Sequence, residues 1–194
     1  MTEIYRADRS CGTLERAENV EAAEKASAEA SIGELTEAEK LIAEIDEAGH
    51  EHVCFVCTGN TCRSPMAAAV LNHMGKPYNI TAESAGISPI PGDVIADNSV
   101  KALKAAGIEP CEGNRYDLHT ARLIDEETLK RASRVVCMTE SHLFALITAF
   151  PQYIEKLTVM PKSVSDPFGG SEERYRVCLE EIKSGITELF HLDN

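Results

Sequence analysis

From His52 onward, short apolar runs rich in strand-forming residues alternate with stretches whose apolar residues recur at helical spacing. Few architectures accept that texture. Strands that read as continuous apolar runs are buried on both faces, which requires a parallel sheet with helices above and below it. Strands are expected at Val53–Cys57, Ile80–Ser84, Arg134–Met138 and Leu157–Met160. Between them, Ser64 reads as the N-cap of a helix with Pro65 at its first position and Gly75 as its stop. Further helices are expected over Asp97–Ala106, Asp125–Ala132, Ser141–Phe150 and Glu172–Phe190. The fold class that follows is α/β: a doubly wound, four-stranded parallel sheet with helices on both faces.

The first fifty residues have a different character. They hold 5 Lys/Arg against 13 Asp/Glu, and no Pro, whereas residues 51–194 hold 14 against 19. Leu35, Ala38, Leu41, Ile42 and Ile45 make a thin apolar stripe, Thr36 and Glu39 fit a capping box, and Gly49 fits a helix stop. A second helical stretch is expected at about Leu14–Ala30. Residues 1–50 are therefore read as an N-terminal acidic helical extension that is solvated, docks a protein partner or is autoregulatory.

A net charge of −13 argues against nucleic acid as a partner, because phosphate-backbone binding needs clustered Lys and Arg. No run of about 18 apolar residues occurs and no secretory signal is legible, so neither a membrane nor export is expected. Seven cysteines, an odd number, then read as reduced thiols in a cytoplasmic protein.

The chemistry concentrates in Cys57-Thr58-Gly59-Asn60-Thr61-Cys62-Arg63-Ser64, which leaves the first strand and opens the first helix. Ligands bind at that end of an open α/β sheet. Inward-turned amides and the positive end of a helix make a nest for a tetrahedral anion, and the same field favours a thiolate at Cys57, the form that attacks phosphorus. Arg63 is placed to grip two phosphoryl oxygens bidentately. Gly59 and Asn60 suit a sharply curved loop, since both accept positive φ better than most residues. The Ser64 hydroxyl is also expected to donate to the Cys57 sulfur. No metal or cofactor is expected, because Arg63 and the amides neutralise the charge.

Val53–Ala68 resembles the active-site loop of the low-molecular-weight protein tyrosine phosphatases, and the likeness extends over residues 52–194. Ser84-Ala85-Gly86, His119-Thr120-Ala121-Arg122 and Asp166-Pro167-Phe168-Gly169 match further landmarks of that family in the same order. The resemblance implies a catalytic domain over 51–194 that hydrolyses phosphorylated proteins through a phosphocysteine intermediate. It also implies Asp166 as the general acid, and a network of Asn60, Ser64, Ser84 and His119 that holds the loop in shape.

Tyrosine-directed members commonly place an aliphatic residue at the position of Thr61, whereas CTGNTCRSP is similar to the bacterial protein-arginine phosphatases. A hydroxyl-bearing wall at Thr61 beside the Asp166 carboxylate suits a guanidinium, and Phe168 supplies an apolar side to the entrance. A phosphotyrosine-specific phosphatase stays open, as does a thioredoxin-coupled arsenate reductase, which shares the fold and would relay a disulfide through cysteines such as Cys111 and Cys137. A binding protein that keeps the fold without turnover is a third reading. Cys62, in the same loop as Cys57, is the candidate redox partner of the nucleophile. Cys54 is assigned to the core, Cys111 and Cys178 to structure, and His50, His52, His73, His142 and His191 to surface or packing.

Overall fold

The computed structural model describes residues 49–192. The expected helical extension over 1–50, with its stretches at 14–30 and 35–45, lies outside the described residues apart from positions 49 and 50. Four strands, β1 (Glu51–Cys57), β2 (Ile80–Gly86), β3 (Arg134–Cys137) and β4 (Leu157–Val159), form one sheet in the order β2-β1-β3-β4. Every pairing is parallel. Five helices separate and follow the strands: α1 (Arg63–Met74), α2 (Asp97–Ala105), α3 (Glu126–Arg131), α4 (Glu140–Ala149) and α5 (Glu172–Phe190).

Strand β1 shows why the sequence folds this way. Its residues Val53–Cys57 are all buried, as a central strand covered on both sides demands. Alternate side chains go to opposite faces. Val53, Phe55 and Cys57 join Met66, Leu71, Leu103, Ile182 and Ile186 in a core beneath α1, α2 and α5. Cys54 and Val56 join Val135, Leu129 and Leu146 in a second core beneath α3 and α4. Cys54 is fully buried, and desolvation pushes its thiol up.

Helix boundaries fall within a residue or so of expectation, with one instructive correction. Ser64 is not the N-cap of α1: the helix begins at Arg63, Cys62 occupies the cap without a side-chain hydrogen bond, and the Ser64 hydroxyl is committed to the loop below. Gly75 does end α1, yet in a right-handed conformation with φ of −80°. Close approach explains the glycine there, since a Cβ would lie 2.7 Å from the Leu71 carbonyl oxygen.

One flank of the sheet is closed and the other is short. The outer rim of β2 is occupied by the Asn72 amide, which accepts from Ala82 N at 2.7 Å and donates to Ala82 O at 2.9 Å. Further along, Arg122 Nε donates to Ser84 O at 3.1 Å, and Gly86 exchanges backbone bonds with Arg122 and Ile124. The other flank, β4, is three residues long. No helix among the described residues is long and apolar enough to cross a membrane.

The strand order reverses about β1, so the carboxyl ends of β1 and β3 flank the crevice where a doubly wound sheet takes its ligand. Cys57 is the last residue of β1.

Candidate active site

Between Cys57 and Arg63 the chain makes one tight arc, and its curvature rests on Asn60. That residue has φ of 56°, in the left-handed region, while Gly59 does not. Of the two candidates for positive φ, the asparagine carries the turn. A glycine would make the same turn more easily, but the side chain here is in use. Fully buried, Asn60 donates from Nδ2 to Ser64 Oγ and to Ser84 Oγ, each at 2.9 Å, and accepts from Arg122 N at 3.0 Å. Its carbonyl accepts from His119 Nε2 at 2.7 Å. Asn60 thus touches each of the other three residues expected to hold the loop.

At the centre of the arc sits the sulfur of Cys57, a buried residue. Asn60 N donates to Sγ at 3.3 Å, and Ser64 Oγ lies 3.0 Å from it. The Ser64 hydroxyl also lies 3.3 Å from the Ala85 carbonyl. The positive end of α1 opens directly above, as suits an anion.

Arg63 is buried, and its Nη2 donates to Asp166 Oδ2 at 2.7 Å. The other oxygen of Asp166, Oδ1, accepts from Phe168 N at 3.1 Å, which tightens the turn that carries it. A cleft of about 270 Å³ results, with Cys57 to Arg63 as its floor. Asp166 and Phe168 stand on one side, and Ser88, Ile90 and Asp93 complete the lining. A larger depression of about 480 Å³ beside Ala102, Arg176 and Val177 holds no nucleophile.

Thr61 lines this cleft, and its Oγ1 lies 3.6 Å from Cys62 Sγ. Cys62 is 4% exposed and its sulfur is 3.3 Å from the Tyr175 hydroxyl. Burial and the Cys62 contact push that phenol up.

Several supporting residues escaped the sequence reading. His142, assigned above to surface or packing, is buried with Nε2 at 2.9 Å from Thr58 Oγ1 and Nδ1 at 2.7 Å from Thr139 Oγ1. Desolvation and then the nearby Arg63 charge lower its pKa below the ordinary imidazole value. The only available signal was its place two residues into α4, just after the carboxyl end of β3. Arg122 closes the matched His119–Arg122 segment and ties the loop to β2: besides Ser84 O it reaches Thr128 Oγ1 at 3.0 Å and pairs with Glu83. Gly86 was quoted as a landmark only. A Cβ there would stand 2.6 Å from the Thr58 carbonyl oxygen and 3.1 Å from Asn60 Cβ, so the loop packs directly on its bare Cα.

A sulfur nucleophile at a helix N-terminus, a guanidinium above it and a carboxylic acid at the rim are the parts that phosphoryl transfer to cysteine needs. Comparison with known proteins points the same way. A protein-arginine-phosphatase of Geobacillus stearothermophilus is 34% identical over 144 residues, covering 71% of this chain and 92% of its own length. The crystal structure of a low molecular weight protein tyrosine phosphatase from T. tengcongensis matches with a TM-score of 0.67 and 34% identity, over 73% of this chain and 98% of that one. A mutant of the YwlE arginine phosphatase with a phosphorylated active-site serine matches with a TM-score of 0.64 and 30% identity, over 71% and 92% of the two chains. The model of the low molecular weight phosphotyrosine protein phosphatase family matches residues 52–193. With that match spanning most of its length, the chain belongs to the low molecular weight phosphotyrosine protein phosphatase family.

Proposed function

We propose that this chain is a protein phosphatase that removes the phosphoryl group from phosphoarginine in proteins, through a phosphocysteine formed on Cys57. One observation carries the reading: Cys57 lines the cleft with Asn60 N and Ser64 Oγ turned on its sulfur, and the Arg63–Asp166 pair lines the same cleft.

The reaction runs in two displacements. The Cys57 thiolate attacks phosphorus, an S–P bond forms and the P–N bond breaks. Asp166 gives its proton to the departing guanidine nitrogen. The phosphoryl oxygens draw Arg63 from Asp166 into a bidentate grip, and the amides of residues 58–63 meet the remaining charge. Asp166, now a carboxylate, takes a proton from water as the water oxygen attacks phosphorus. The S–P bond breaks, phosphate leaves, and the Ser64 hydroxyl eases departure of sulfur by donating to it. The relative with a phosphorylated active-site serine supports such an intermediate.

Preference for phosphoarginine is supported by Thr61 in the cleft and by the arginine phosphatase among the relatives. A thiol relay of the arsenate-reductase kind is disfavoured by Cys137. It is fully buried in the core opposite that of Cys57, and desolvation pushes its thiol up to about 12. In this reading residues 51–194 are the catalytic domain, phosphorylated proteins are its partners, and a reduced Cys57 suits a cytoplasmic setting.

The test is kcat/KM on matched phosphoarginine and phosphotyrosine peptides. Wild type is expected to favour phosphoarginine, and Thr61→Ile to reverse the order. Equal rates of the wild type on both peptides would end the arginine assignment.

A further inference from the structure

We infer that Asp93 reads the positive charge of the substrate guanidinium and thereby sets the preference between phosphoarginine and phosphotyrosine. This rests on the arginine-phosphatase reading of the same cleft and adds to it a residue that no sequence landmark marks.

A guanidinium brought into the cleft gains from a counter-charge. Asp166 is poorly suited to that duty. To protonate the leaving nitrogen it must carry its proton when the substrate is bound, and a protonated acid offers no charge to a cation. Of its two oxygens, Oδ1 is also engaged by Phe168 N, and Oδ2 is held by Arg63 until the phosphoryl group draws that arginine away. Thr61 contributes a neutral hydroxyl. Among the described residues, Asp93 is the remaining acidic residue in the cleft lining.

Its circumstances fit the task. Asp93 lies in the connection between β2 and α2, where its backbone is pinned on both sides. Asp93 N donates to Ile90 O at 3.1 Å, Asp93 O accepts from Ala121 N at 2.7 Å, and Val94 bridges to Thr120. The residue therefore stands on a fixed rung. Among the described residues, no hydrogen-bond donor or cation pairs with its carboxylate, in contrast to Asp166. Ile90 and Phe168, 69% and 76% exposed, give the same cleft an apolar rim. They can cover the methylene stem of an arginine and keep water from screening the charge pair.

The same carboxylate acts against a phosphotyrosine. A neutral phenyl ring offers it no donor while covering it from water, so Asp93 favours one substrate and penalises the other.

Asp93→Asn removes the charge and keeps the shape. Its kcat/KM on a phosphoarginine peptide is expected to fall roughly 10- to 100-fold, the scale of a hydrogen bond to a charged group, mostly through KM. On the matched phosphotyrosine peptide it should hold or rise. Asp93→Glu should retain the preference for phosphoarginine, and an unchanged thermal midpoint in both variants establishes that folding is not the cause. If wild type prefers phosphoarginine and Asp93→Asn leaves the ratio of the two kcat/KM values where it was, the role of Asp93 is overturned while the arginine reading stands. A wild type without that preference overturns the arginine reading and this inference with it.

Discussion

Replacing Gly86 by alanine perturbs the catalytic loop without removing any group proposed to take part in the reaction. Gly86 does not have positive φ, so alanine suits its backbone and the effect comes from the added methyl alone. That methyl would stand 2.6 Å from the Thr58 carbonyl oxygen, where ordinary contact begins at 3.4 Å. The loop must therefore recoil by about 0.8 Å, the difference between those two distances. Asn60 N, which would be 3.3 Å from the new Cβ, is also the donor to Cys57 Sγ, so the recoil falls on the hydrogen bond that orients the nucleophile. A misplacement near 1 Å costs about 100-fold in rate, and overpacking costs about 1–3 kcal/mol in stability. Gly86→Ala is expected to lower kcat roughly 50-fold, on the same scale, with a folded protein and a smaller change in KM. Steady-state turnover and urea denaturation of the same preparations measure both. A variant with kcat within about threefold of wild type, against that 100-fold scale, would refute the claim that packing on β2 holds the loop in its working shape.

Other outcomes follow from the same geometry. Cys57→Ser should abolish turnover, and Ser64→Ala should slow hydrolysis of the phosphoenzyme by about 10-fold, the scale of one lost hydrogen bond, seen as a larger burst relative to the steady rate. Burial lowers the pKa of both His119 and His142 below the ordinary 6.5, so the unfolded chain binds protons that the native protein refuses. Stability is therefore full above pH 6.5 and falls as pH drops below it, by at most about 1.4 kcal/mol per pH unit for each ring. Urea midpoints at pH 7.5 and 5.5 measure the slope, and His142→Gln should flatten it. Peroxide inactivation of wild type should be reversed by thiols more completely than that of Cys62→Ser, as a protective disulfide between Cys57 and Cys62 requires. Equal recovery would remove Cys62 from that role.

Much of this was legible in the sequence because the strands obey a simple rule. Val53–Cys57 and Val135–Cys137 are apolar without interruption, and only a sheet covered on both faces explains such runs. Helix α5 was placed to the residue because its apolar period is long and a glycine-rich turn precedes it. Where the reading missed, a side chain had a competing use. Ser64 has the composition of an N-cap, yet its hydroxyl serves Cys57 and Asn60, and nothing local reveals that. His142 lies 84 positions from its partner Thr58, so periodicity carries no trace of the contact. Cys57, Arg63 and Asp166 share one cleft, as the sequence led one to expect, whereas Asp93 and Gly86 emerge only once β2 and the segment after it are laid beside the loop.

The flanks of the sheet, one closed and one short, bear on how a target protein is chosen. A visiting polypeptide cannot register its main chain along β2, whose outward amides and carbonyls are already met by Asn72, Arg122 and Ile124, and β4 is too short to offer a ladder. Recognition then falls to the single modified side chain that reaches the sulfur, leaving its neighbours in the target largely unread. Such an enzyme would accept many local sequences, and any finer discrimination among cellular targets would have to come from surfaces away from the cleft.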